Sequence, residues 1–144
     1  MNLRKRSSNA AASVEQARRS NTMRAVRSKE TQPELLVRHL VKQLRRRPRV
    51  NDNTLPGTPD LVFPSLRKAI FVHGCFWHGH SCARGSRVPK TNREYWVRKV
   101  ARNRLRDAAV CQVLRHAGWQ VLIVWECRTR DQQTLIEQLR RFLH

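Results

Sequence analysis

The sequence predicts a single α/β domain built on a small mixed sheet flanked by helices. Two short apolar runs, Asp60-Leu-Val-Phe63 and Lys68-Ala-Ile-Phe-Val-His73, stand four residues apart and read as a β-hairpin. A third run, Trp119 to Trp125, is apolar except at Gln120 and follows a long helical segment, the pattern of a central strand buried on both faces. The length of 144 residues, 40% of them hydrophobic, suits one compact domain with a core.

Residues 1–13 are basic and small without apolar period, and are expected to form a disordered arm ahead of a single domain over 14–144. A helix is expected from about Val14 to Val26. Thr31-Gln-Pro-Glu34 fits a capping box with Pro33 in the first turn, opening a helix that carries Leu36, Val37, Leu40 and Leu44 on one face. Arg45-Arg46-Arg47-Pro48 ends it, and Leu55-Pro-Gly-Thr-Pro59 is a dense turn ahead of the hairpin. Residues 74–90 hold Gly, Cys, His and Pro without period, so this loop needs an internal staple. A long helix is expected from about Asn92 to Ala117, stopped by Gly118, and a last helix from about Gln132 to Leu143.

Thirty Lys+Arg against ten Asp+Glu give a formal net charge of +20, and 24 of the thirty cations are Arg. Such a domain repels itself away from a polyanion, and Arg suits planar phosphate contacts, so nucleic acid is the expected partner, RNA included on charge alone. No 18-residue apolar run is present and mean hydropathy is -0.66, which argues against a membrane partner. The opening residues lack a charged-then-apolar leader, so a cytoplasmic, nucleoid-associated location is expected.

Cys75, His80, Cys82 and Cys127 are candidate ligands of a structural zinc ion. Three thiolates and one imidazole make a closed tetrahedral set, and a disulfide is a poor alternative in a reducing compartment. Spacing alone leaves His78 and His80 interchangeable as the nitrogen ligand. Cys111, on the apolar side of the long helix, reads as core.

With so few acids, their positions carry information. Asp60 opens an apolar strand, where it either hydrogen-bonds turn amides or binds a cation. At 100° per residue Asn103 and Asp107 fall on the stripe of Trp96, Val100, Val110 and Leu114, so they either cap backbone or orient groups in a site. If the two strands pair as a hairpin, Asp60 and His73 converge at one sheet end near His78, a set suited to metal-assisted phosphodiester hydrolysis. Glu34 serves a capping box or points to the same place. Phe76 and Trp77 are either a lid on the core or an exposed wedge for base steps, whereas periodicity alone puts Trp96 in the core.

Six segments together resemble the very short patch repair (Vsr) endonucleases, which nick DNA beside T:G mismatches. They are Asn21-Thr-Met-Arg-Ala-Val, Thr31-Gln-Pro-Glu34, Leu55-Pro-Gly-Thr-Pro-Asp60, Phe71-Val-His-Gly-Cys-Phe-Trp-His78, Thr91-Asn-Arg-Glu-Tyr-Trp96 and Gly118-Trp-Gln-Val-Leu-Ile-Val-Trp-Glu-Cys127. The resemblance covers about Arg19 to Leu143. It implies a restriction-endonuclease-like core with Phe71-Val72-His73 in place of Glu-x-Lys, and catalytic Mg²⁺ on Asp60 and the Val72 carbonyl. It implies that His78 is the general base, Asp107 its orienting group, and His73 and Glu34 part of the metal's water shell. It assigns zinc to Cys75, His80, Cys82 and Cys127, and insertion beside the mismatch to Phe76, Trp77 and Trp96, with an amino-terminal helix clamping the duplex. Mismatch-repair proteins, a DNA polymerase and a cytosine methyltransferase are the implied functional partners, and a monomer suffices for one nick. A non-catalytic zinc-containing DNA binder and a restriction enzyme cutting both strands are the competing readings.

Overall fold

A computed structural model describes residues 30–144; the arm expected over 1–13 and the helix expected over 14–26 lie outside the described residues. Residues 32–144 form a compact unit. Its elements run α1 (Gln32–Gln43), β1 (Arg49–Val50), β2 (Leu61–Phe63), β3 (Lys68–His73), α2 (Arg93–His116), β4 (Gln120–Trp125) and α3 (Gln132–Phe142), with 3-10 turns at Pro64–Leu66 and Glu126–Arg130. The sheet order is β1-β2-β3-β4; β1 with β2 and β2 with β3 pair antiparallel, and β4 pairs parallel to β3. The expected mixed α/β architecture is therefore present.

The register of the hairpin sorts the side chains. Leu61 pairs with Ile70 and Phe63 with Lys68, so the period of two turns Leu61, Phe63 and Ile70 to one face. There they meet Val37, Leu40 and Val41 of α1, Val124 of β4, and Leu135, Leu139 and Leu143 at the carboxyl end, all nearly sealed from solvent. The opposite face carries Val62, Ala69, Phe71 and His73. On α1 the buried stripe is Glu34, Val37, Leu40 and Val41, with Leu36 and Leu44 only at its margin, a small rotation from the expected face.

Ends are set locally. Gly118 (φ 86°) closes α2, with the Trp119 amide donating to the Leu114 carbonyl, the glycine stop expected there. Asp131 caps α3 by accepting from the Thr134 amide at 3.1 Å. Strand β1 was not expected: two exposed residues after Pro48 leave no periodicity to read.

Two expectations need correction. The run up to Trp125 is not a central strand buried on both faces, because β4 is the last strand in the order and only Val124 is fully buried. Its apolar character reflects partial cover from α2 on one side and the α1–α3 layer on the other. Trp96 is not core either, since its indole is half-buried near the start of α2 against Phe76 and Trp77.

Leu139 is fully enclosed, so Leu139→Ala should cost about 2–5 kcal/mol in urea unfolding. Leu105 is 73% exposed, and Leu105→Ala should stay within about 0.5 kcal/mol. Equal losses at the two positions would contradict this division of the core.

Candidate active site and metal cluster

The turn before β2 sets the site. Gly57 takes φ 74°, and a Cβ there would lie 2.5 Å from Val110 Cγ1 on α2, so the turn is pressed against that helix and requires glycine. Asp60 follows and is pinned from both sides: its carbonyl accepts from the Asn51 amide at 3.0 Å, and its Oδ2 accepts from the Val72 amide at 2.7 Å. Extending the hairpin register by one step puts Asp60 opposite Phe71, on the face that carries His73.

Asp60, His73, His78, Arg106 and Asp107 share one concavity of about 400 Å³. The convergence expected from a hairpin is thus realised, and α2 closes it with Asp107. His78 Nδ1 lies 2.5 Å from Asp107 Oδ2. The His73 ring stacks flat on His78, with centroids 3.8 Å apart and planes within 4°. Asn103, the other polar residue on the apolar stripe, is buried and donates to the Trp77 carbonyl at 2.9 Å. Asn103 thus binds backbone, whereas Asp107 orients an imidazole.

Electrostatics in this concavity are strained. Burial pushes the Asp60 carboxyl up to about 6; the Val72 amide opposes this, while the nearby Glu34 carboxylate adds to it. Glu34 is itself buried on α1, with the Arg38 guanidinium 3.9 Å away. Burial, with His78 alongside, takes His73 down to about 4 against the pull of Asp107, so it is neutral at pH 7. Its Nδ1 is buried without a hydrogen-bond partner among the described residues. A buried carboxylate beside a second one fits a divalent cation, which would relieve both. The imidazoles suit a magnesium ion's waters better than its inner sphere, since Mg²⁺ prefers oxygen ligands.

Past β3, Cys75, His80, Cys82 and Cys127 bring one ligand atom each within 4.8 Å of the others, a set able to hold a metal ion. The Cys127 amide donates to Cys75 Sγ and the Gly85 amide to Cys82 Sγ, both at 3.4 Å. Gly85 packs against the carbonyls of His80 and Cys75, leaving no room for a Cβ. The His80 imidazole draws the Cys82 thiol down to about 6, while burial pushes Cys75 up to about 12. Three sulfurs and a nitrogen in this geometry suit zinc's tetrahedral preference. Geometry also separates the two histidines that spacing could not: His80 lies with the thiols and His78 with Asp107.

Phe76, Trp77 and Trp96 form a half-buried cluster with ring centroids 5.2–5.8 Å apart. Two participants escaped sequence reasoning. Lys99 Nζ stands 5.8 Å from the Trp77 ring centroid and 5.9 Å from that of Trp96, and its only signal was helical spacing from Tyr95 and Trp96. Trp125 stacks on His80 (4.3 Å, 23°) and meets His73 edge-on at 5.4 Å, so one indole lies between the Cys/His cluster and the Asp60 concavity.

A buried carboxylate, a carboxylate-held imidazole and an arginine in one pocket of a strongly basic α/β domain are the groups that metal-assisted phosphodiester hydrolysis uses. Comparison with known proteins identifies the kind. Residues 12–84 match the profile of the DNA mismatch endonuclease Vsr family. The chain is 47% identical to the type II nicking enzyme V.XorIIP of Xanthomonas oryzae pv. oryzae, over 88% of this chain and 92% of that one. It is 40% identical to the DNA mismatch endonuclease Vsr of Escherichia coli, over 86% and 79%. It is 39% identical to the type II nicking enzyme V.NmeAIP of Neisseria meningitidis, over 88% and 90%. The chain belongs to the Vsr family of DNA endonucleases.

The raised pKa of Asp60 gives a pH signature. Its carboxyl binds a proton more tightly folded (about 6) than unfolded (3.8), so the stability it contributes is complete below about 4 and lost as pH rises through about 6. Without added divalent cation, Asp60→Asn should match wild type at pH 4 and exceed it by about 2–3 kcal/mol at pH 7.5 in urea unfolding. A gap independent of pH would refute the assignment.

Proposed function

We propose that the protein nicks one strand of duplex DNA 5′ to the thymine of a T:G mismatch, by Mg²⁺-dependent hydrolysis, and so initiates very short patch repair. The observation that carries this is the His78–Asp107 pair at 2.5 Å in the same pocket as Asp60, within a chain of the mismatch endonuclease family. Asp60 and the Val72 carbonyl would hold Mg²⁺. When bound, the ion supplies charge stabilisation to the phosphoryl group and a more acidic water.

With Asp107 Oδ2 accepting from His78 Nδ1–H, the tautomer is fixed and Nε2 keeps its lone pair. Nε2 takes the proton of the attacking water. The flat contact with neutral His73 holds the ring plane, and His73 and Glu34 order the surrounding waters. Phe76, Trp77 and Trp96 wedge beside the mismatched pair, where unstacking costs less than in paired duplex. Cys75, His80, Cys82 and Cys127 would hold zinc, which would fix the loop that carries both His78 and the wedge. T:G pairs arise by deamination of 5-methylcytosine, which links the enzyme to a cytosine methyltransferase, mismatch-repair proteins and a DNA polymerase. Two of the relatives described are named as nicking enzymes, in keeping with a single-strand cut. Among the described residues no helix is long and apolar enough to cross a membrane. A DNA substrate would bring the enzyme to the bacterial nucleoid.

End-labelled duplexes with Mg²⁺ test this directly. A nick confined to the thymine strand of T:G duplexes is expected; double-strand cuts in paired DNA, or no cut, would replace the reading by restriction or binding. Asp60→Ala should abolish nicking and retain binding, and Asp107→Asn should lower kcat about 10²–10⁴-fold.

Cys82→Ser should lose zinc by metal analysis and lower the melting temperature. Full zinc content with an unchanged transition would remove zinc from this site.

A further inference from the structure

Where α1 ends, Arg38, Lys42, Arg45, Arg46 and Arg47 line a second concavity of about 660 Å³, completed by Pro48 and Val50. No carboxylate lines it. Among the described residues, Lys42, Arg45, Arg46 and Arg47 make no ion pair. The turn that gathers them is specified locally: Arg45 adopts φ 57°, and the Arg46 amide turns back to the Val41 carbonyl at 3.2 Å. Four unpaired cations in one hollow raise its potential, and this fold supplies nothing among the described residues to neutralise it.

Its position narrows the anion. Val50 pairs with Leu61, the residue after Asp60, and the Asn51 amide binds the Asp60 carbonyl. Arg38 lines the hollow and is also 3.9 Å from Glu34, close enough to Asp60 to favour its charged form. The basic hollow therefore lies one strand away from Asp60 past the β1 edge, on the face that α1 covers, whereas Asp60 opens on the opposite face toward α2, so a backbone reaching both rounds that edge. The ring cluster stands on the other side, beyond β3 and against α2. A strand that places one phosphodiester at Asp60 carries further phosphates at about 3.4 Å of rise each, a continuous row of charge rather than a single anion.

We propose that this hollow is a backbone clamp for the strand being cut, holding phosphodiesters next to the reacting one on the side away from the wedged base pair. This rests on the nuclease reading of the Asp60 site. It assigns Lys42, Arg45, Arg46 and Arg47 a role in affinity and strand placement, with no part in bond breaking.

The test is a scan of T:G duplexes, each with one neutral methylphosphonate, titrated without added Mg²⁺ against wild type and Lys42→Gln/Arg46→Gln/Arg47→Gln. Neutralising one or two phosphates of the cut strand, on the side away from the mismatch, should weaken wild-type binding about threefold each and leave the variant unaffected. The variant's log–log salt slope should be shallower by about 1–3. A wild-type slope in the variant would overturn the clamp, as it would if the hollow served an acidic protein instead. Loss of sensitivity at phosphates beside the mismatch or on the uncut strand would overturn it too. Should the triple variant fail to fold by circular dichroism, Arg47→Gln alone, at an exposed position, should make the slope shallower by about 1, and an unchanged slope would refute the clamp. Nicking of the unmodified duplex by wild type, run in parallel, reports on the nuclease reading separately.

Discussion

The register of β2 against β3 is the constraint from which the rest of the unit follows. With Leu61 opposite Ile70, one face of the hairpin joins the core made with α1 and α3, and the other presents Asp60, Phe71 and His73 toward α2. A slip of one residue would bury Asp60 among leucines and turn Ile70 toward the pocket. The bond from the Val72 amide to Asp60 Oδ2 fastens that register at the position where chemistry needs it. Apolar packing on one face and pocket geometry on the other are consequences of one alignment.

Charges in this fold are placed at a cost. Asp60 is raised toward neutrality, His73 is held neutral, and arginines outnumber any carboxylates that could pair with them. Each strain would be relieved by something outside the chain: a cation at the acid pair, a polyanion along the basic surfaces. Burial alone would favour replacing such groups by apolar ones. Their presence is understandable where binding, rather than folding, neutralises them.

Much of this was legible in the sequence, for identifiable reasons. The hairpin could be read because turn residues bracket two short apolar runs, and Asp107 because a carboxylate on an apolar helical stripe is conspicuous among ten acids. Cysteine spacing exposed the metal set. Some features escaped, and one lay beyond spacing alone. Strand β1 is too short to show a period. The edge position of β4 follows from strand order, which composition does not encode, so an apolar run read as central. The division of labour between His78 and His80, two residues apart, depends on which partner the loop brings near each ring, and both partners come from distant segments.

Trp125 and Cys127 give the order of synthesis a meaning. The thiol of Cys75 and the amide of Cys127 are 52 residues apart, and the indole that abuts His73 and His80 is also carried by the last strand. During synthesis the members of the Asp60 concavity, all at or before Cys111, precede both, so the tie between that concavity and the Cys/His cluster forms only once residues 125 and 127 join the fold.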